Sequence, residues 1–145
     1  MVNNNIQQLE EKDKEIVLAL IREPKDEIGE HDGFQVEPRY LKDFGAIVKN
    51  GWCYKYVEDD LIKGIIMAGN DGIRTTIYDI EVPRHSRRKG IGSKLLKYVV
   101  DKSIKEDYPV NILTETYNYL AIGFYIKNKC SKLRSMNIVR FEVEP

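Results

Sequence analysis

The sequence predicts an α/β fold: a mixed, mostly antiparallel central sheet flanked by helices. Three observations predict it. Segments of period two and segments of helical spacing alternate along the chain in the order β-α-α-β-β-β-α-β-α-β. The middle three strands follow one another across short turn signals, Glu58-Asp59-Asp60 and Gly69-Asn70-Asp71-Gly72, which makes an antiparallel meander. A glycine-containing turn then opens a long apolar helix between two strands, the layout of a right-handed crossover between parallel neighbours.

The elements follow in order. "NNIQQL" is a short first strand. From Glu10 to Arg22 the residues Leu9, Asp13, Ile16, Val17, Leu20 and Ile21 fall near helical spacing, an amphipathic helix stopped by Pro24. Residues 23–37, "EPKDEIGEHDGFQVE", are acidic and contain glycines, so a loop is expected. A second helix is expected from Pro38, a favoured first helical position, with Leu41, Phe44, Ile47 and Val48 inward and Asn50-Gly51 ending it. "WCYKYVE", "LIKGIIMAG" and "IRTTIYDIEV" are the meander strands. The helix from about Gly90 to Ile104 carries Ile91, Leu95, Leu96, Val99 and Ser103 on one face. "VNILTET" is rich enough in apolar residues to be a strand buried on both sides. Asn118 to Lys129 is a further helix with Asn118 as N-cap. The tail "NIVRFEVE" alternates Val139, Phe141 and Val143 with Arg140 and Glu142, the period of a half-exposed strand.

At 145 residues the chain is expected to be a single domain, 1–145, with one core. Lys plus Arg and Asp plus Glu both number 23, so no net field draws in nucleic acid or an acidic membrane. The two cysteines, Cys53 and Cys130, stand far apart with no His-Cys companions. A disulfide framework or a metal site is therefore not expected, and a reducing cytoplasm is the expected location. The polar start "MVNNNIQQLEEKDKE" has no leader-like apolar region, and no apolar run approaches a membrane span.

The chemistry concentrates at "RRKGIGSKLLKYVV", Arg87 to Val100. Gly90 and Gly92 lack Cβ atoms, so their amides can approach a ligand closely. A helix beginning there leaves its first N–H groups without internal partners and carries a dipole that favours negative charge. Arg87, Arg88 and Lys89 add cationic donors just before it. Together these suit a pyrophosphate; the plainer account is a strand-to-helix turn with a solvated basic edge, and spacing alone does not choose.

Two motifs in order do choose. Arg87-Arg88-Lys89-Gly90-Ile91-Gly92 resembles the Arg/Gln-x-x-Gly-x-Gly/Ala signature of the GNAT superfamily of N-acetyltransferases, with Val82 at its apolar strand-end position. Asn118-Tyr119-Leu120-Ala121-Ile122-Gly123-Phe124-Tyr125 resembles that family's Asn-x-x-Ala-x-x-Phe-Tyr motif, one helix and one strand further on. The resemblance covers nearly the whole chain and is strongest from Thr76 to Lys129. It implies the GNAT fold, with splayed strands holding acetyl-CoA as cosubstrate. It places the pyrophosphate on the loop Arg87, Arg88, Lys89, Gly90, Ile91, Gly92 and Ser93. The pantetheine arm would pair with Ile80, Glu81 and Val82. Asn118 would contact the pantetheine region or cap its helix.

Acetyl transfer to an amine needs a base for the ammonium, a donor for the oxyanion, and a proton for the leaving thiolate. Tyr125 matches the family's tyrosine as that acid, and a phenol suffices for a thiol of pKa about 8.5. The base is left between Asp79 and Glu81. On "IYDIEV" these two share a face while Tyr78, Ile80 and Val82 take the other. An N–H of Ile80 or Val82 would serve as the oxyanion donor. His85 lies on the phosphate side, His31 in the acidic loop is solvated, and Cys130 has no His partner to activate it as a nucleophile.

In this family the first two helices and their connection form much of the acceptor wall. Here that connection holds Glu23, Asp26, Glu27, Glu30, Asp32 and Glu37 against Lys25, a rim that would attract a cationic small molecule or peptide amine. A solvated charge run is the alternative. The chain departs from the family in reading Lys127-Asn128-Lys129-Cys130 after Tyr125, and its tail is short for the usual last strand pair. A second subunit of a homodimer is one source of the missing wall. The competing reading is a GNAT-fold CoA-binding sensor or structural module without turnover. A nucleic-acid patch at Arg84, Arg87, Arg88 and Lys89 lacks interleaved aromatics and ranks below both.

Overall fold

A computed structural model describes residues 5–22, 42–114, 119–128 and 130. The chain divides into two compact units, Met1–Leu113 and Thr114–Pro145. The acidic connection 23–37, Pro38 to Leu41, Asn118 and the expected last strand lie outside the described residues.

The first unit holds a five-stranded sheet in sequential order: β1 (Ile6–Gln8), β2 (Tyr54–Glu58), β3 (Leu61–Asn70), β4 (Thr75–Glu81) and β5 (Val110–Ile112). β1 to β4 pair antiparallel, and β4 pairs with β5 parallel through Thr75↔Val110, Thr76↔Asn111 and Ile77↔Ile112. The parallel step is bridged by α3 (Ile91–Lys105), as a crossover requires. Positive φ at Asp59 (53°) and Asp60 (62°) makes the tight β2–β3 turn, where Asp tolerates the left-handed region.

The sheet has two apolar faces. α1 (Lys14–Arg22), entered through a one-turn 3-10 helix at Glu11–Asp13, and α2 (Phe44–Lys49) lie on the first. Leu9, Val17, Leu20, Phe44, Val48, Cys53, Ile65 and Met67 form its core. Full burial of such side chains contributes about 1.5–3 kcal/mol each, which makes this core the main stabilising element of that face. α3 covers the second face. A Cβ on Gly64 would stand 2.8 Å from Ile91 Cγ2 and 3.2 Å from Leu95 Cδ1, so the bare backbone of β3 lets this helix come close. Ser103 at the far end of α3 donates to Thr75 Oγ1 of β4 (2.7 Å). Its last turn is fastened by Lys102, whose Nζ donates to the Gly51 carbonyl (2.7 Å) and the Tyr54 hydroxyl (3.0 Å) and lies 4.1 Å from the centre of the Trp52 ring.

Four expectations need correction. Ile16 faces out, 46 % exposed, because the α1 core stripe runs through Val17 and Leu20. The second helix is Phe44–Lys49, since Asp43 has non-helical backbone (φ −114°, ψ 41°) that interrupts any continuous helix from Pro38. "VNILTET" is not buried on both sides. Its three ladder residues are half-buried and Leu113 is exposed, because α3 packs chiefly over β2, β3 and β4. Tyr78 is not on the Ile80 face, for the reason given in the next subsection.

One feature of the first face was not foreseen. Lys55 of β2 and Asp13 are buried together, Nζ to Oδ2 2.7 Å, with Asp13 Oδ2 also accepting the Glu10 N–H (2.9 Å). "YKYVE" alternates, and a lysine at its second position reads as solvated. Asp13 in the apolar stripe was the visible hint.

The second unit contributes α4 (Tyr119–Lys127). Tyr125 is buried and its ring meets Phe124 edge-on at 5.4 Å. The Tyr125 carbonyl accepts the N–H groups of Asn128 (3.1 Å) and Cys130 (3.0 Å), and the Asn128 side chain caps the Phe124 carbonyl (2.8 Å). The α4 end is thereby closed without a glycine.

Candidate active site

The geometry of β4 decides what can bind. Opposite residues on neighbouring antiparallel strands share a face. Met67 faces Asp79 and Ala68 faces Ile77, so Tyr78 is an extra residue, a β-bulge. The bulge shifts the alternation by one. Thr75 and Ile77 point to α3, whereas Asp79 and Glu81, opposite Met67 and Ile65, point to the α1 face. The two carboxylates are thus on one face, Glu81 buried and Asp79 half-buried. Tyr78 joins them: a Cβ on Gly69, which shares a face with Met67, would meet the Tyr78 ring at 3.5 Å.

The same strand meets β5 over a short ladder. β5 pairs only as far as Ile77, whose carbonyl accepts the Leu113 N–H (3.1 Å). Asp79, Ile80 and Glu81 continue the strand beyond it, paired with Met67, Ile66 and Ile65 of β3. Ile80 and Val82 are half-buried along this stretch. The Val82 carbonyl, however, is taken by Arg87 Nε (3.0 Å), so Arg87 fastens the loop to the strand end.

The loop then runs into the N-terminus of α3. Arg88 (φ 66°) and Gly90 (φ 77°, ψ 12°) have left-handed backbone, which curls the loop into the kind of concavity where successive N–H groups receive an anion. Among the described residues nothing lies within 4 Å of where a Gly90 Cβ would be, and no side chain caps the first turn. The amides of Ile91, Gly92 and Ser93 precede the first intrahelical bond, from Lys94 N–H to the Gly90 carbonyl (3.0 Å). Arg88, Lys89 and Gly90 are exposed, as is His85, while Ile91 and Gly92 are buried against the sheet. A cradle of this kind can receive an anion such as a phosphate.

Both thiols are poor nucleophiles. Burial pushes Cys53 up to about 11, with its Sγ–H on the Ala68 carbonyl (3.3 Å), and burial also raises Cys130. Among the described residues no group of three or more His, Cys, Asp or Glu side chains converges as a metal site, and no helix is long and apolar enough to cross a membrane.

Asp79 and Glu81 share a face, as the alternation predicts, and the turn from Arg87 to Gly90 opens α3. Sequence reasoning missed the left-handed Arg88 and the face of Tyr78, because neither a non-glycine αL residue nor a bulge leaves a mark on alternation.

The fold matches solved structures along almost its whole length. A transcriptional regulator from Bacillus halodurans C-125 superposes with a TM-score of 0.72 at 18% identity, covering 94% of this chain and 98% of that one. The aminoglycoside N-acetyltransferase AAC(6')-Iy in complex with CoA gives 0.73 at 13% identity, covering 95% and 94%. The PaiA N-acetyltransferase of Thermoplasma acidophilum in complex with coenzyme A gives 0.69 at 16%, covering 85% and 86%. At such identities the likeness is one of fold. No curated protein matches the sequence. The family model for the acetyltransferase (GNAT) family matches residues 15–129, and the chain belongs to that family of acetyl-CoA-dependent acyltransferases.

Proposed function

We propose that the protein transfers acetyl from acetyl-CoA to a primary amine by direct attack in a ternary complex. The observation that carries this reading is the left-handed turn at Arg88 and Gly90, which presents the first amides of α3 beside the end of β4. The diphosphate rests on the amides from Arg88 to Ser93, with Arg87 holding the loop, and the pantetheine arm lies along Ile80, Glu81 and Val82. Asn118 belongs to the same arm by its motif.

Asp79 or Glu81 takes the proton of the acceptor ammonium. The freed nitrogen attacks the thioester carbon, the oxyanion is met by a β4 amide, and the C–S bond breaks. Tyr125 gives its phenolic proton to the leaving thiolate and is restored by the second proton that the attacking nitrogen sheds, while the carboxylate's proton passes to solvent. Two carboxylates on one face, with an acidic connection before α2, favour a cationic acceptor, and the aminoglycoside acetyltransferases among the fold relatives support that class. A second subunit completing the acceptor wall belongs to the same reading.

The test is turnover of acetyl-CoA over a panel of polyamines, aminoglycosides, amino acids and peptides. Tyr125→Phe is expected to lower kcat about a hundredfold with CoA affinity kept. CoA bound tightly with no amine acetylated would replace the transferase by a binding module. In the kcat/KM profile against pH, one of Asp79→Asn and Glu81→Gln is expected to abolish the basic limb; two unaltered profiles remove both as base.

A further inference from the structure

We propose that Ser86 is a positioning residue for the diphosphate, its buried hydroxyl gaining a loop carbonyl as partner when the loop turns its amides to the anion. The proposal rests on the acetyl-CoA reading above and adds to it a residue outside the phosphate loop.

Ser86 ends the one-turn 3-10 helix Arg84–Ser86 between β4 and α3. It is 1 % exposed, and its Oγ has no hydrogen-bond partner among the described residues. A serine in such a turn ordinarily bonds back to a carbonyl three or four residues before it. Both carbonyls are engaged here. That of Pro83 accepts the Ser86 N–H (2.8 Å), and that of Val82 accepts Arg87 Nε (3.0 Å). Ser86 therefore carries the cost of a desolvated hydroxyl in the free protein, where alanine would carry none.

The backbone beside it points the same way. Two residues on, Arg88 holds a left-handed conformation (φ 66°), which a residue bearing a Cβ adopts at a cost. The N–H and C=O of one trans peptide plane point in opposite directions. A peptide that turns its N–H outward to an anion thus turns its carbonyl inward. Arg88, Lys89 and Gly90 are exposed while Pro83 and Ser86 are buried, so such a carbonyl moves to the side where Ser86 lies. The hydroxyl donates to it and holds the peptide in its anion-binding orientation. Ser86 acts through the loop and not on the ligand, because its oxygen is itself buried.

The experiment combines urea unfolding of the free full chain with calorimetric titration of CoA. Ser86→Ala is expected to raise the urea midpoint and to weaken CoA roughly tenfold, the loss of about one hydrogen bond. A residue that merely supports the fold moves both quantities the same way. Ser86→Cys keeps the side-chain volume with a weaker donor and is expected to weaken CoA as well. Wild-type affinity in Ser86→Cys assigns the effect to packing and overturns the proposal. A Ser86→Ala midpoint at or below wild type means that the hydroxyl is already partnered in the free protein, by a buried water included, and overturns it too. Unchanged CoA affinity in Ser86→Ala overturns it and leaves the acetyl-CoA reading standing. Wild-type protein that binds no CoA removes the reading and the proposal together.

Discussion

Within one sheet, β2 and β3 on one side and the far half of β4 on the other obey opposite rules. The β2–β3 side is closed. Its lysine is neutralised by Asp13 in the interior, its cysteine thiol is protonated and bonded, and α1 and α3 seal both faces. The β4 side is left open. Its described ladder with β5 ends at Ile77, and the helix beside it begins at Gly90 with no side-chain cap. The closed side supplies stability, and the other side carries the residues proposed to hold acetyl-CoA. Variants on the closed side are therefore expected to change folding with binding preserved, and variants on the open side the reverse.

The largest effect is expected from Asp13→Asn, which leaves Lys55 charged in the interior. Loss of one partner of a buried pair costs about 3–5 kcal/mol, read from urea unfolding, whereas Asp13→Leu with Lys55→Met is expected to recover most of it. A single variant as stable as wild type would show that this side is not closed.

Alkaline pH comes next. The Cys53 thiol is raised from its ordinary 9.0 to about 11 by burial. The unfolded chain therefore loses this proton first. Its contribution is complete below pH 9 and is lost as pH rises from there through about 11, amounting to roughly 2–3 kcal/mol. Cys53→Ala is expected to flatten that part of the stability-against-pH curve, and iodoacetamide should reach Cys53 only after unfolding.

Gly64→Ala pushes a methyl against Ile91 and Leu95, costing about 2 kcal/mol as α3 shifts outward. A variant with wild-type thermal stability would mean that the side-chain ends give way freely. Smallest is Gly90→Asp on the open side. It adds a negative charge at the head of α3 and is expected to weaken CoA about tenfold by calorimetry. The left-handed backbone there adds some strain, but none of the described residues crowds the new Cβ and the protein is expected to stay folded. Unchanged CoA affinity in the folded variant would remove the diphosphate from this loop.

The contrast also explains what could be read beforehand. The meander, the crossover and the α3 stripe of Ile91, Leu95, Leu96, Val99 and Ser103 follow from periodicity and turn residues, which are local properties. The turn that opens α3 was legible because Gly90 takes up a left-handed backbone that glycine adopts without strain. The Asp13–Lys55 pair joins residues 42 positions apart, and charge pairing at that separation has no local signature. The bulge was hidden for a related reason: "IYDIEV" alternates equally well in either frame, and only the partner strand decides. Asp79 and Glu81 kept their common face because both lie beyond the inserted residue, while Tyr78 did not.

That single surplus residue has a consequence for comparing this chain with its relatives. It acts as a half-period phase slip between Thr75 and Asp79. Aligning such strands by sequence, with gaps banished to loops, would match core positions of one protein with reactive positions of another whenever the slip is present in only one. The alignment frame here is set by whether Met67 stands across from Asp79, and roles should be transferred only after that pairing is known.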